Sequence, residues 1–430
     1  MLDRAVPPVI KPFGRLTLPA MERLTLDNGI RLNVYDHSFQ DVSELLVLAP
    51  GGVVDAMGSP VASMLVPVML DGSRSYPDSA LSDMLEFNGA KVIPSISDHF
   101  TAVSLRMLNS HWDKLLPVYA DMLFFPQISE RSVDTCRRRV AQGAAIAMQR
   151  VEYKAQKALR DLAYGAEHPK ARMDTPEAVE AVGREDISAW HGKVFGDNFV
   201  RAELFLSGRV TPGMIDDINH RFGTVKIESS LCHPPYIEPF DTTAPVECFV
   251  ESPGALQSAV RVAIPSIPRT HPDYIMLRCA IVALGGYFGS RLMTNIREDK
   301  GYTYGIQAGL LGAPEGTFME VQTSADNAYV DSVLEEIRRE VVRLQTGDFT
   351  QQEMERLRQY LMSNLAQHLD TAFSIVACHV TERVSFTGPD YFERQFRAIS
   401  EMTPQSLGDV ARRHLSLEKE IVVVAGGRGQ

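Results

Sequence analysis

SELLVLAPGG, Ser43 to Gly52, and SAVRVAIPS, Ser258 to Ser266, are runs of one character about 215 residues apart. Each reads as a strand. The first leads into an apolar helix from Pro60, the second into a helical stretch from Asp273 to Gly285. Outward from these, one order of elements continues in both halves. WDKLLPVYADMLFFPQ, joined through Ile128 to SERSVDTCRRRVAQGAAIAMQ, is matched by VDSVLEEIRREVVRLQTGD, joined through Phe349 to TQQEMERLRQYLMSNLAQ. Both second helices open on a hydroxyl residue, Ser129 and Thr350, which predicts N-caps, and Thr350 with Glu353 predicts a capping box. Each half then closes on a helix entry (Glu185 to Ser188; Thr403 to Ser406) and a β-rich run, AELFLSG from Ala202 and EIVVVAGG from Glu420.

Between the halves, Glu228 to Val246 carries Pro234, Pro235, Pro239 and Pro245 and no periodicity, as a linker does. The predicted fold class is therefore α+β: two homologous repeats, residues 1–227 and 247–430 about a linker at 228–246. Each is expected to be an antiparallel-rich sheet with helices packed on one face, the pair arranged as a two-lobed clam. An accidental match of two unrelated α+β domains is the alternative.

Composition narrows the function classes. The chain has 430 residues, 43 basic against 54 acidic, with acidic residues in excess in both halves, so binding to nucleic acid or to an anionic membrane is disfavoured. The five cysteines, Cys136, Cys232, Cys248, Cys279 and Cys378, form no C-x-x-C pair, against a disulfide scaffold or a cysteine-rich zinc site. Pro60 to Leu70 and Ile281 to Phe288 fall short of the roughly 20 apolar residues of a membrane span. The opening residues hold no apolar signal core, which predicts a cytoplasmic chain, or an exported one whose leader has been removed.

The sharpest motif is GSRLMTNIREDKGYTYGIQAG from Gly289. Leu292, Met293 and Ile296 predict a short helix stopped at Gly301, and Tyr302 to Ile306 predicts a strand. Arg297 at the helix end and Tyr304 on the strand then project towards one space, where a guanidinium and a phenol can stabilise an oxyanion. On another reading of the same residues, Arg297 pairs with Glu298 or Asp299 on a solvated face and Tyr304 is a half-buried strand residue. Leu284 to Gly289 fails the dinucleotide spacing G-x-G-x-x-G.

Ser290-Arg291-Leu292, Ile296-Arg297-Glu298, Gly301 and Tyr304 resemble the C-terminal signature of the pitrilysin/insulinase family of zinc peptidases, the inverzincins. Leu26-Asp27-Asn28-Gly29 is similar to the family's N-terminal L-x-N-G, so the resemblance covers nearly the whole chain. It implies that Arg297 and Tyr304 are catalytic, contacting a substrate carbonyl. It also implies an H-x-x-E-H zinc helix in the first repeat. Aligned on Gly72-Ser73, that helix has Ser63 and Pro67 for the histidines and Val66 for the glutamate, and the third ligand falls near Gln142, in a stretch without acidic residues from Thr135 to Val151. No metal ligand remains at these positions.

Other metal pairings are poor. Asp98-His99 and Glu167-His168 are adjacent pairs, which in a strand point to opposite faces, so these histidines are expected at the surface or at strand ends. Arg137-Arg138-Arg139 reads as a solvated helix face. The resemblance thus implies a subunit without its own cofactor, paired with a zinc-bearing H-x-x-E-H subunit of similar length and acting on peptides or unfolded polypeptide. A catalytically inert pseudopeptidase, a peptide-binding or structural homodimer, is the competing reading. A free-standing zinc peptidase would need unrelated ligands.

Overall fold

A computed structural model of the chain describes residues 14–225, 245–313 and 316–427. Almost all of the expected linker, and the opening residues on which the export reading rests, lie outside them. Val246 already pairs within a strand.

The first sheet is built from β1 (Glu22–Thr25), β2 (Arg31–Asp36), β3 (Val42–Pro50), β4 (Lys91–Ile96), β5 (Phe100–Leu108) and β6 (Glu203–Gly208) in the order β1-β2-β6-β3-β5-β4. The second has β7 (Val246–Glu251), β8 (Gln257–Ser266), β9 (Thr303–Ala313), β10 (Gly316–Asp326) and β11 (Ile421–Gly426) in the order β7-β11-β8-β10-β9. From β2 and β7 onward the two orders correspond strand for strand, down to the single parallel pair in each, β2 with β6 and β7 with β11. The protein is thus a mixed helix and sheet structure, in agreement with the α+β expectation. The paired strands at Ser43 and Ser258 are β3 and β8, central in both sheets because each runs antiparallel to two neighbours.

The expectation of helices on one face is corrected. One face of the first sheet, including Leu45, Val47, Val103, Leu105 and Leu204, packs on helices of its own half. Its other face, through Leu48, Ala102 and Phe205, is covered by Val376 of the helix Ala372–Val384 from the second half. The exchange is reciprocal: Ala155, Leu159 and Ala163 of the helix Val151–Tyr164 cover Ala259, Phe318, Ile421 and Val423 of the second sheet. A sheet covered on both faces needs continuous apolar strands rather than alternating ones, and β11, IVVVAG, is buried at every position. Polar contacts cross at the same places: Lys154 Nζ donates to Ser252 Oγ at 2.9 Å and Arg383 pairs with Glu203 at 3.2 Å.

Ser129 and Thr350 both cap their helices. The expected reciprocal bond from Glu353 is not made at Thr350, because that carboxylate is taken by Arg291 at 2.6 Å. At the end of β6, Gly208 has φ +115°, and a Cβ there would lie 2.2 Å from the carbonyl oxygen of Val42. Gly208→Ala is therefore expected to cost about 2 kcal/mol or more, from positive φ and the clash together. A urea midpoint equal to wild type would contradict this.

Candidate functional site

Leu292 and Ile296 are fully buried in the second core, as the spacing predicts. They anchor a turn that is widened to a π-helix over Met293–Asp299, which residue spacing alone does not disclose. On its inner side Asn295 donates to Glu336 at 2.9 Å and to Glu340 at 2.8 Å, fixing it to the helix Val330–Gln345. Gly301, at φ +66°, ends the turn, its N–H donating to Arg297 O at 3.2 Å, and the chain enters the edge strand β9.

Thr303 pairs with Ala325 and Ile306 with Thr323, so Tyr304 and Gly305 together face Ser324, a bulge in the edge strand. The Thr303 hydroxyl holds the bulge, 2.8 Å from Thr323 Oγ1 and donating to Ser324 O at 2.7 Å. Bulges of this kind re-aim a side chain, and Tyr304 is 92% exposed. Arg297 comes to it: the guanidinium carbon lies 5.4 Å from the Tyr304 ring centroid and 4.8 Å from that of Phe288. The structure therefore brings Arg297 and Tyr304 together, as the motif predicts. Arg297 has no ion pair among the described residues, and Tyr304 is not half-buried, so the solvated-pair reading does not hold. Phe288 escaped sequence reasoning; the aromatic pair Tyr287-Phe288 just before the motif was the available signal. Stacking on aromatic faces holds a guanidinium while leaving its N–H donors free.

Arg291, the other arginine of the motif, does something else. Its side chain is 4% exposed, paired with Glu353, bonded to the carbonyl of Asp348 and stacked 4.0 Å from the Phe349 ring centroid. It braces the connection between two helices.

The helix aligned with H-x-x-E-H is present at Val61–Met69. Ser63 is exposed and donates to the carbonyl of Pro60 at 2.9 Å, Val66 is fully buried in the first core, and Pro67 sits inside the helix, where it offers no N–H to the carbonyl of Ser63. Gln142 is exposed on the helix Glu130–Met148. A hydroxyl, an isopropyl group and a pyrrolidine ring do not fit zinc, and no step of a reaction runs through a metal at this helix. Ser63 instead borders a cavity of about 490 Å³ with Gly143, Ala144 and Asp174. Burial raises the pKa of the Asp174 carboxyl from its ordinary value.

Neither adjacent acid–histidine pair forms. Asp98 pairs with Lys170 at 3.2 Å, His99 with Asp55 at 3.3 Å, and His168 stacks on Tyr164 at 5.4 Å. His99 stands at the entry to β5, in agreement with the strand-end expectation, with its side chain only 11% exposed. Arg138 and Arg139 lie on an exposed helix face, as expected. Among the described residues, one group of three could gather around a cation: His271, Asp273 and His414. Its members already bond to one another and to Arg413. His271 Nδ1 accepts from the Asp273 N–H at 3.0 Å, and the Asp273 carboxylate is bound by His414 at 2.8 Å and Arg413 at 2.9 Å. The His414 hydrogen bond, ahead of Arg413, lowers the pKa of Asp273. The group ties the start of the helix Tyr274–Gly285 to the end of Pro404–His414. The purified chain is accordingly expected to carry no stoichiometric zinc, and chelator to leave its melting temperature unchanged; one zinc per chain by elemental analysis would refute this.

Residues 181–361 match the model of the peptidase M16 inactive domain. No curated protein matches the chain in sequence. The fold is shared with a peptidase M16 inactive domain from Pseudomonas fluorescens at a TM-score of 0.84 and 19% identity, over 95% of this chain and 98% of that one. A protease from Helicobacter pylori aligns at 0.84 and 16%, over 95% and 100%. The periplasmic protease PqqL from Escherichia coli aligns at 0.80 and 15%, over 99% of this chain and 49% of that one. Residues 181–361 thus resemble the peptidase M16 inactive domain, and nearly the whole chain has the fold of that domain from Pseudomonas fluorescens.

Proposed function

We propose that the chain is the zinc-free partner subunit of a two-chain M16 peptidase, bringing Arg297 and Tyr304 to a reaction whose metal and attacking water belong to an H-x-x-E-H subunit. The observation that carries this is the posture of Arg297: stacked near the rings of Phe288 and Tyr304, without an ion pair among the described residues, beside a phenol that is 92% exposed. An arginine kept for packing resembles Arg291, buried and bonded. One kept for a ligand presents its donors outward. As negative charge builds on a peptide carbonyl oxygen, Arg297 N–H and Tyr304 O–H would donate to it.

Position along the strand favours a site shared between chains. Leu311, seven residues along β9 from Tyr304 and thus about 23 Å away, borders a cavity between the halves. Neither Tyr304 nor Arg297 lines that cavity or the one at Ser63. This supports reading the pair as completing a partner's site rather than one at this chain's own degenerate zinc helix. The correspondence of the two sheets supports reading residues 1–227 and 247–430 as duplicated repeats that close as a clam over peptide or unfolded polypeptide, interlocked by their exchanged helices.

Coexpression with an H-x-x-E-H chain of similar length tests the proposal. The two are expected to co-purify as a heterodimer that cleaves a quenched fluorescent peptide, while this chain alone does not. A stable homodimer that neither captures such a chain nor alters its activity would favour the inert pseudopeptidase.

A further inference from the structure

Two adjoining cavities, of about 370 and 490 Å³, share Val53, Arg160 and Arg172 as a common wall. The smaller lies between the halves, bordered by Ile96 at the end of β4 and by Ala263, Phe318 and Glu320 of the second sheet. The larger reaches Ser63. They thus occupy the space beside the helix that has lost its metal ligands, and what they offer in its place is cationic.

The acids facing this space are Asp98, Glu320 and Asp174, and the bases are Arg160, Lys170 and Arg172. Two acids are already engaged: Asp98 with Lys170 at 3.2 Å and Glu320 with Arg261 at 2.8 Å. Asp174 forms no ion pair among the described residues, and burial raises its pKa from the ordinary value. Arg172 meets only Glu167, at 3.5 Å and with a carboxylate that is 96% exposed, a contact of small worth. Arg160 is half-buried and has neither ion pair nor hydrogen bond among the described residues. Two guanidinium groups with spare donors therefore share a partly enclosed wall, against apolar surface from Val53, Leu159, Ala163 and Ala263.

We propose that Arg160 and Arg172 receive the terminal carboxylate of a peptide, with the neighbouring apolar wall taking its last side chain. The guanidinium fork matches a carboxylate bidentately. The apolar wall suits a peptide end better than a small inorganic anion, and the chain's net charge of −11 disfavours extended polyanions. This inference rests on the peptide-binding reading above and deepens it: the chain would hold peptides by a free C-terminus, as a cleavage product presents, and not by an internal segment.

The test uses the full chain and two N-terminally fluorescein-labelled peptides of one sequence, one ending in a free acid and the other in an amide, with affinity read by anisotropy. The free acid is expected to bind about 10- to 100-fold more tightly. Arg160→Gln or Arg172→Gln should bring the free acid to within about twofold of the amide while leaving the amide's affinity unchanged, and Arg160→Lys should fall between. Equal binding of acid and amide by the wild type, or a preference that survives both substitutions, overturns the carboxylate assignment and leaves the heterodimer proposal standing. Competition by millimolar inorganic phosphate as effective as that by unlabelled peptide overturns the peptide assignment in favour of a small-anion site. Failure to bind either peptide overturns both this inference and the peptide-binding reading, whereas the role of Arg297 is decided separately by the activity of the pair.

Discussion

In the pair formed with an H-x-x-E-H subunit, Arg297→Ala is expected to lower kcat about 100- to 1,000-fold, the usual loss for one donor to a developing oxyanion. The free chain should melt within about 2 °C of wild type. The separation follows from the environment of the side chain, which lies against two exposed rings and makes no ion pair among the described residues, so its removal strips no partner. Tyr304→Phe deletes one oxygen from a side chain already 92% exposed and is expected to lower kcat comparably with no change in fold. Phe288→Ala, which removes one of the two rings against which the guanidinium stacks, should give a smaller loss. Both constants are to be measured, because a group that acts as charge develops changes kcat, while one that merely binds substrate changes KM. If Arg297→Ala and Tyr304→Phe leave the activity of the pair intact, the subunit proposal fails.

Arg291→Ala should do the opposite. Its side chain is 4% exposed and pairs at 2.6 Å with Glu353, itself 20% exposed. Breaking a buried pair from one side costs about 3 to 5 kcal/mol, and the partial exposure of Glu353 brings the expectation down to about 2 to 4 kcal/mol. That corresponds to a melting temperature lower by about 5 to 10 °C for a unit of this size. Glu353→Ala should be milder, and the double substitution less harmful than the sum, since each single change leaves the other group unpaired; a coupling of about 1 to 3 kcal/mol is expected. Activity per folded pair should persist. Additivity of the two substitutions within experimental error would show that the contact contributes nothing, and that Arg291 is retained for another purpose.

The two arginines stand six residues apart in one motif, and nothing local separates them. Sequence alone shows which side chains can donate, that Leu292 and Ile296 must face a core and that Gly301 must end a turn, because these depend on residue chemistry, helical period and local sterics. The corresponding order of elements in the two halves was legible for the same reason, and so was the loss of the zinc site at Ser63, Val66 and Pro67, since no fold turns a pyrrolidine ring into a metal ligand or an isopropyl group into a base. The burial of Arg291 depends on Glu353 and Phe349, far along the chain. The outward turn of Tyr304 depends on a bulge set by pairing with β10. The exchanged helices Val151–Tyr164 and Ala372–Val384, and the arginine-walled space between the halves, arise only when segments more than a hundred residues apart pack together. Those contacts are set by the complementarity of whole surfaces, which no short window of sequence contains, and so the tertiary structure alone decided which arginine braces the fold and which one faces outward.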